Sequence, residues 1–251
     1  MVPKTQACKL IESLCDNIDG AVTFITKFTC SALNLALQGP NAELAEPTII
    51  QWQQEPFFQS DPILIADTSM IVLTLMSYIL PSRKDLIGIF EAVISTNVPQ
   101  FLQRRPIQNQ GNDFEEAKAV LLLNRFSLLL GYYADILFTK NQEAFKQTME
   151  FLIDAIGHTD GINEVVARGC VDTIAIIVTD EDVAPRLKLY IEYIVQQLAL
   201  LLDSVTFVNF FDFMNDFVKL FAKDLNGPLI AQLFQATVNR VLKEQQAKEN
   251  G

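Results

Sequence analysis

The sequence predicts an all-α protein, arranged as an α-solenoid of about five antiparallel helix pairs. Strand signals are weak, because no Asn-Gly or Asp-Gly dipeptide lies between alternating apolar runs. Apolar residues instead recur at spacings of three and four over long segments. Segments that begin near Asp61, Asp113, Ile162 and Val205 repeat at steps of 52, 49 and 43 residues, the length of a two-helix repeat. A compact helical bundle is the alternative, because the period does not show how successive pairs stack.

Helix breakers set the predicted element boundaries. Gly20 separates the first two helices, and Pro62 fits the first turn of a helix that Asp61 caps and that ends before Pro81. We predict a single segment over 1–251, with an irregular Pro-rich stretch at 39–60 and a frayed polar tail at 243–251. The predicted helices are 4–19, 21–38, 61–80, 82–96, 113–138, 141–156, 162–178, 183–203, 205–225 and 228–246.

Acidity is concentrated in the middle of the chain. The formal net charge is −11, and residues 113–216 alone carry 17 acids against 7 bases. Such a surface repels nucleic acid and anionic membranes, and it favours basic partners. The two most apolar stretches are interrupted by Asp67 in one and by Arg125 and Asp135 in the other, so we expect no membrane insertion.

Two helix faces are predicted in detail. Over 205–225 the polar residues fall at steps of three and four. We therefore expect this helix to expose one narrow polar stripe to solvent and to bury its other faces against several neighbouring helices. Over 163–178, Glu164, Arg168 and Asp172 form one polar stripe, with Arg168 able to pair with either acid. Cys170 falls among the valines and isoleucines of that helix, so we predict that it packs in the core.

Signals for chemistry are absent from the sequence. The chain has one histidine, His158, and no nucleotide-binding or nucleophile-elbow motif. The four cysteines show no CxxC spacing. We therefore expect no enzyme activity, no catalytic residue, no metal and no cofactor. The acidic turn Asp180, Glu181 and Asp182 most simply caps the helix that follows it, and contact with a basic partner is the alternative.

Three consecutive segments carry a family resemblance. "NRFSLLLGYYADILF" at 124–138, "NQEAFKQTMEFLIDAI" at 141–156 and "NEVVARGCVDTIAII" at 163–177 resemble successive helices of the HEAT repeats in importin-β-superfamily receptors, or karyopherins. Residues 61–102 and "PKTQACKLIESLC" at 3–15 are also similar to segments of these proteins, most of all the larger importins. Ala167 occupies the arginine place of the repeat pattern, and Arg168 lies one residue later.

This resemblance implies a HEAT-type, armadillo-like right-handed superhelix and a carrier function. The expected partners are a protein cargo that is basic, the Ran GTPase in its GTP form and FG nucleoporins, without direct nucleic-acid binding. The expected location is the nucleus, the cytoplasm and the pores of the nuclear envelope. We expect a partial receptor, a separately made segment or a shortened relative.

The acids on the second helix of each repeat are the candidate contacts. A HEAT scaffold or adaptor subunit outside nuclear transport is the alternative function, and an uncharacterised enzyme is the weaker one. The candidate contact residues are Glu115, Glu116, Glu164, Asp172, Asp212 and Asp216, with the turn Asp180, Glu181 and Asp182 as a further acidic contact.

Overall fold

All regular structure in the described part of the chain is helical, which confirms the all-α prediction. The structure is a computed structural model, and it describes residues 3–39, 42, 46, 49, 61–102, 113–139, 141–158, 163–204 and 210–249. The α-helices are α1 (Pro3–Asn17), α2 (Ala21–Gln38), α3 (Pro62–Leu75), α4 (Lys84–Leu102), α5 (Asp113–Tyr132), α6 (Ala134–Phe138), α7 (Gln142–Ile156), α8 (Asn163–Val178), α9 (Ile191–Ser204), α10 (Phe210–Phe221) and α11 (Gly227–Glu249).

The chain divides into two compact units. The first contains Met1–Arg105 and Leu121–Ile136, and the second contains Pro106–Val120 and Leu137–Gly251. The prediction of one continuous segment over 1–251 stays a prediction.

Helices α1 to α4 pack against one another in the first unit. Helix α1 contacts α2 and α3, and α2 also contacts α3 and α4. At the α2–α4 contact, the fully buried Asn97 donates to the side-chain oxygen of Asn34 over 2.8 Å and accepts from Gln38 over 3.3 Å. Because a buried amide is costly without partners, this network fixes the register of the two helices.

Aromatic rings and one piece of the Pro-rich stretch complete that core. Phe101 stacks on Phe126 with 4.0 Å between ring centroids, and the hydroxyl of the buried Tyr133 donates to the Leu73 carbonyl over 2.6 Å. Ile49 is fully buried against Ala32 of α2. Most of the predicted irregular stretch at 39–60 lies outside the described residues.

Several predicted boundaries differ from the observed ones. Asp61 caps α3 as predicted, accepting from the Ile63 amide over 2.9 Å, but α3 ends at Leu75 and continues as 3₁₀ turns, Met76–Tyr78 and Leu80–Ser82. The Pro81 ring disfavours helix in the preceding turn, which explains the early end. The predicted helix 113–138 is broken at Tyr133, two residues after the weak helix former Gly131.

The second unit is also made of helices that pack against one another. Helix α7 contacts α8 and α9, α9 contacts α11, and α8 contacts α10. The predicted helix at 183–203 starts as a 3₁₀ segment, Ala184–Tyr190, with Pro185 in its first turn, and becomes α-helical at Ile191. The predicted polar tail is helical as far as Glu249, because its Gln, Ala, Lys and Glu residues are strong helix formers.

Helix α10 is less covered than the sequence predicts. Phe213, Phe217 and Phe221 are buried on one face, but Val218 and Leu220 are exposed. In the described part of α10 the prediction of burial on several sides is therefore wrong at Val218 and Leu220, whereas the side chains of 205–212 lie outside the described residues. No helix within the described residues is both long and apolar enough to cross a membrane.

Candidate protein-binding surface

Helix α8 presents the predicted polar stripe to solvent. Arg168 donates from its terminal nitrogen to the Glu164 carboxylate one turn earlier, an ion pair of the kind that stabilises a helix. Asp172 is exposed, although neighbouring protein removes part of its hydration and so raises its pKa. Because its accessible area decides whether a partner can reach it, Asp172 is the more available acid of this stripe.

Helix α10 adds one exposed acid beside α8. Asp216 is exposed, and it lies 3.5 Å from the Lys219 ammonium and 3.4 Å from the Asn215 side-chain nitrogen. Both distances are near the upper limit for a hydrogen bond, and the groups are exposed to solvent, so these contacts hold the carboxylate weakly. Asp172 and Asp216 lie on two helices that contact each other, α8 and α10.

Glu116 does not belong to this surface, which corrects the prediction. Its exposed fraction is 9%, on the side of α5 that also buries Val120 one turn later. The prediction placed Glu115 and Glu116 together on the polar stripe of this helix, whereas the structure places the Glu116 side chain inward. The side chains of Glu115 and Asp212 lie outside the described residues.

The acidic turn lies just before a 3₁₀ segment. The Asp180 carboxylate accepts from the backbone amides of Asp182 and Val183 over 3.0 and 3.1 Å. These bonds close the turn itself, and Val183, at the start of the 3₁₀ segment that follows, forms no side-chain cap, so the predicted cap of an α-helix is not confirmed. Glu181 and Asp182 are exposed and leave this turn acidic on its outer side.

The residues that looked reactive in the sequence are structural here. Cys170 is fully buried, which confirms its packing role, and the His158 ring Nδ1 lies 2.8 Å from the Asp154 carbonyl oxygen. Among the residues that the structure describes, no group of three His, Cys, Asp or Glu side chains is placed to hold a metal ion.

One set of exposed apolar residues was not predicted from the sequence. Leu189, Tyr193 and Leu200 are exposed along the outer side of the 3₁₀ segment and α9. Their spacing of four and seven is a signal for one stripe, but apolar periodicity alone does not say which apolar stripe is covered.

Comparison with known proteins assigns no family or function to this surface. No protein-family model, no curated protein and no solved structure matches the chain.

Proposed function

We propose that this chain is a non-enzymatic, protein-binding scaffold in which stacked helix pairs present acids to a basic protein partner. The observation that carries the proposal is the exposure of Asp172 and Asp216 on two helices that contact each other. Carboxylates spaced along one face recognise Lys and Arg side chains by charge, and they need no reacting group. The net charge of −11 steers basic partners towards the chain over longer distances.

The contact pattern supports stacking of repeats, because several helices pack against the next-but-one helix. In the second unit α7, α9 and α11 follow one another in one layer, and α8 and α10 in the other. In the first unit α1 meets α3, α2 meets α4, and an ion pair of Arg125 with Asp67 joins α5 to α3. This is the pattern of a two-layer helical repeat, in which each unit contacts only its neighbours.

Scattering in solution tests the stacked arrangement. A chain of this length in a compact bundle has a radius of gyration of about 18 Å. We expect a clearly larger value, and a measurement at the compact limit would contradict the solenoid.

Charge reversal tests the binding surface. The variant Asp172→Lys/Asp216→Lys is compared with the wild type for capture of proteins from cell extract, with Glu181→Lys/Asp19→Lys as a control of equal charge change. Each captured basic protein is then purified, and its dissociation constant is measured directly. We expect about tenfold weaker binding for the first variant only. Equal affinity for all three forms would contradict the proposed surface.

The more specific form of the proposal is a transport receptor of the importin-β type. Its support is the resemblance of 124–138, 141–156 and 163–177 to successive HEAT helices. In that form the chain carries a basic protein cargo and releases it when Ran binds GTP. GTP-locked Ran added to the purified complex is therefore expected to lower cargo binding. Binding of a basic partner that Ran leaves unchanged would favour a scaffold or adaptor outside transport.

A further inference from the structure

An exposed apolar ridge runs along the outer side of the second unit. It consists of Leu189, Tyr193 and Leu200, which are 81%, 58% and 60% exposed. The opposite side of α9 is its buried side, with Ile194 and Leu198 fully inaccessible. The ridge therefore faces solvent, although it is made of side chains that gain free energy from burial.

Helix α7 borders one edge of this ridge. The ring of Tyr190 meets Phe145 of α7 edge-on, with centroids 5.9 Å apart, and the Gln197 side chain lies against Gly157 after the end of α7. Tyr190 and Gln197 are seven residues apart, so they lie on the same side of the 3₁₀ segment and α9, and both lie against α7 or its end. The exposed surface of α7 therefore borders the ridge on this side.

That edge is acidic. Glu143 and Glu150 are exposed on α7, and the pKa of Tyr190 is raised by burial and then by the negative charges of Glu150 and Glu143. Lys146 lies 3.9 Å from Glu150, but both side chains are more than half exposed, so solvent screens this pair.

The opposite edge carries a further acid. Glu192 is exposed, and its carboxylate accepts from the Gln196 side chain over 3.4 Å. Lys188 is exposed near the start of the ridge and is paired with Asp224 at 3.1 Å. An apolar ridge with carboxylates along both edges is complementary to a segment with an apolar centre and basic edges.

We propose that the ridge Leu189, Tyr193 and Leu200 is a docking surface for a basic amphipathic helix of a protein partner. The apolar face of that helix covers the ridge, and its Lys or Arg side chains reach Glu143, Glu150 and Glu192. A second copy docked through the same ridge brings these acids against their own counterparts, which opposes self-association. The surface is separate from Asp172 and Asp216, and the inference rests on the proposed function only for the partner being a protein.

A synthetic helix tests the ridge directly. The probe is a fluorescent peptide of about 15 Leu and Lys residues with all Leu on one face, and a scrambled peptide of the same composition is its control. Binding is followed by fluorescence anisotropy. We expect saturable binding of the amphipathic peptide and about tenfold weaker binding of the scrambled one.

Matched variants assign the binding to the ridge. Leu189→Ser/Tyr193→Ser is expected to weaken the peptide by about tenfold or more, whereas Ile230→Ser/Phe234→Ser is expected to change it by less than about twofold. The control pair is comparably exposed, at 51% and 68%, and lies on α11. Circular dichroism shows whether each variant keeps its helices.

Neutralising the acids separates this proposal from the one above. Glu143→Gln/Glu150→Gln/Glu192→Gln is expected to weaken the peptide and to reduce the salt dependence of its binding, while Asp172→Asn/Asp216→Asn leaves both unchanged. The inference is overturned if the wild type shows no saturable binding, or if the α11 control weakens it as much as the ridge variant. An effect of Asp172→Asn/Asp216→Asn alone would overturn the ridge and favour the proposed acidic surface.

Discussion

Arg125 and Asp67 form an ion pair inside the first unit, with 2.9 Å between the guanidinium Nε and the carboxylate oxygen. Each side chain is largely buried, and each interrupts one of the two most apolar stretches of the sequence. Two of the three charges that argue against membrane insertion therefore compensate each other between α5 and α3. A charge that is buried in this way depends on its partner, because water no longer solvates it fully.

Removal of one partner is expected to cost more than removal of both. We expect Asp67→Ala to lower the free energy of unfolding by about 2 to 3 kcal/mol, because Arg125 then keeps an uncompensated charge. Asp67→Leu/Arg125→Met is expected to cost less than Asp67→Ala. Urea unfolding measures both, with Asp216→Ala as a control of about 0.5 kcal/mol or less, since that acid forms only an exposed pair. A single variant no worse than this control would contradict the argument.

Arg186 supports a second prediction, since it closes the carbonyl end of α6. Its terminal nitrogens donate to the carbonyl oxygens of Phe138 and Thr139 over 2.5 and 2.7 Å. Carbonyl groups at a helix end lack partners within the helix, and a charged donor binds them more strongly than a neutral one. We expect Arg186→Ala to lower the free energy of unfolding by about 1 to 3 kcal/mol.

The lysine variant tests the geometry of that contact. Arg186→Lys keeps the charge but presents it at one point, so we expect it to recover only part of the loss. The midpoints of urea unfolding measure the stability of both variants, provided that the dependence of the free energy on urea concentration is unchanged. Full recovery by Arg186→Lys would show that charge alone, rather than the two-pronged contact, stabilises this helix end.

The sequence could predict where helices lie better than which faces they expose. Spacing of apolar residues located every long helix, and Asp61 and Asn141 act as the caps that their position indicates. Exposure is decided by neighbouring helices, which a single sequence does not specify. Glu116 was therefore predicted as a surface contact although it is buried, and the sequence did not single out Leu189, which is exposed.

Gly157 supports a third prediction, on packing between α7 and α9. A Cβ atom at this position would lie 2.6 Å from the Gln197 side-chain oxygen and 3.3 Å from the Asp154 carbonyl oxygen. The backbone of Gly157 is right-handed helical, so any residue can adopt it, and only the close approach favours glycine. Because the Gln197 oxygen is the end of a flexible side chain that can move aside, we expect Gly157→Ala to lower the free energy of unfolding by less than about 1 kcal/mol. This small cost replaces the gain in stability that a Gly-to-Ala change in a helical backbone otherwise brings.

A double-mutant cycle identifies the cause. In a Gln197→Ala background the clashing oxygen is gone, so Gly157→Ala is expected to be neutral or stabilising there. The coupling energy between the two changes, obtained from urea unfolding, is then about 1 kcal/mol. Equal effects of Gly157→Ala in both backgrounds would assign the cost to the Asp154 backbone instead.

Cys30 supports a fourth prediction, on stability at alkaline pH. The thiol is fully buried in α2, and burial raises its pKa from the usual 9.0 to about 12. Between these two values the unfolded chain releases a thiol proton that the folded chain retains. The free energy of unfolding is therefore unaffected by this group below pH 9.0 and falls as the pH rises towards 12, by about 1.4 kcal/mol per pH unit.

Removal of the thiol isolates this contribution. Urea unfolding of the wild type and of Cys30→Ala, measured at several pH values above 9, is expected to show a shallower fall for the variant. The pKa of Tyr133 is also raised, first by burial and then by the charge of the Cys30 thiolate, so the difference between the two slopes contains the titration of the thiol and its effect on Tyr133. The matched control is Cys8→Ala, which removes a partly exposed thiol from α1. If Cys30→Ala and the wild type lose stability in parallel, the buried thiol does not govern the alkaline limit of this fold.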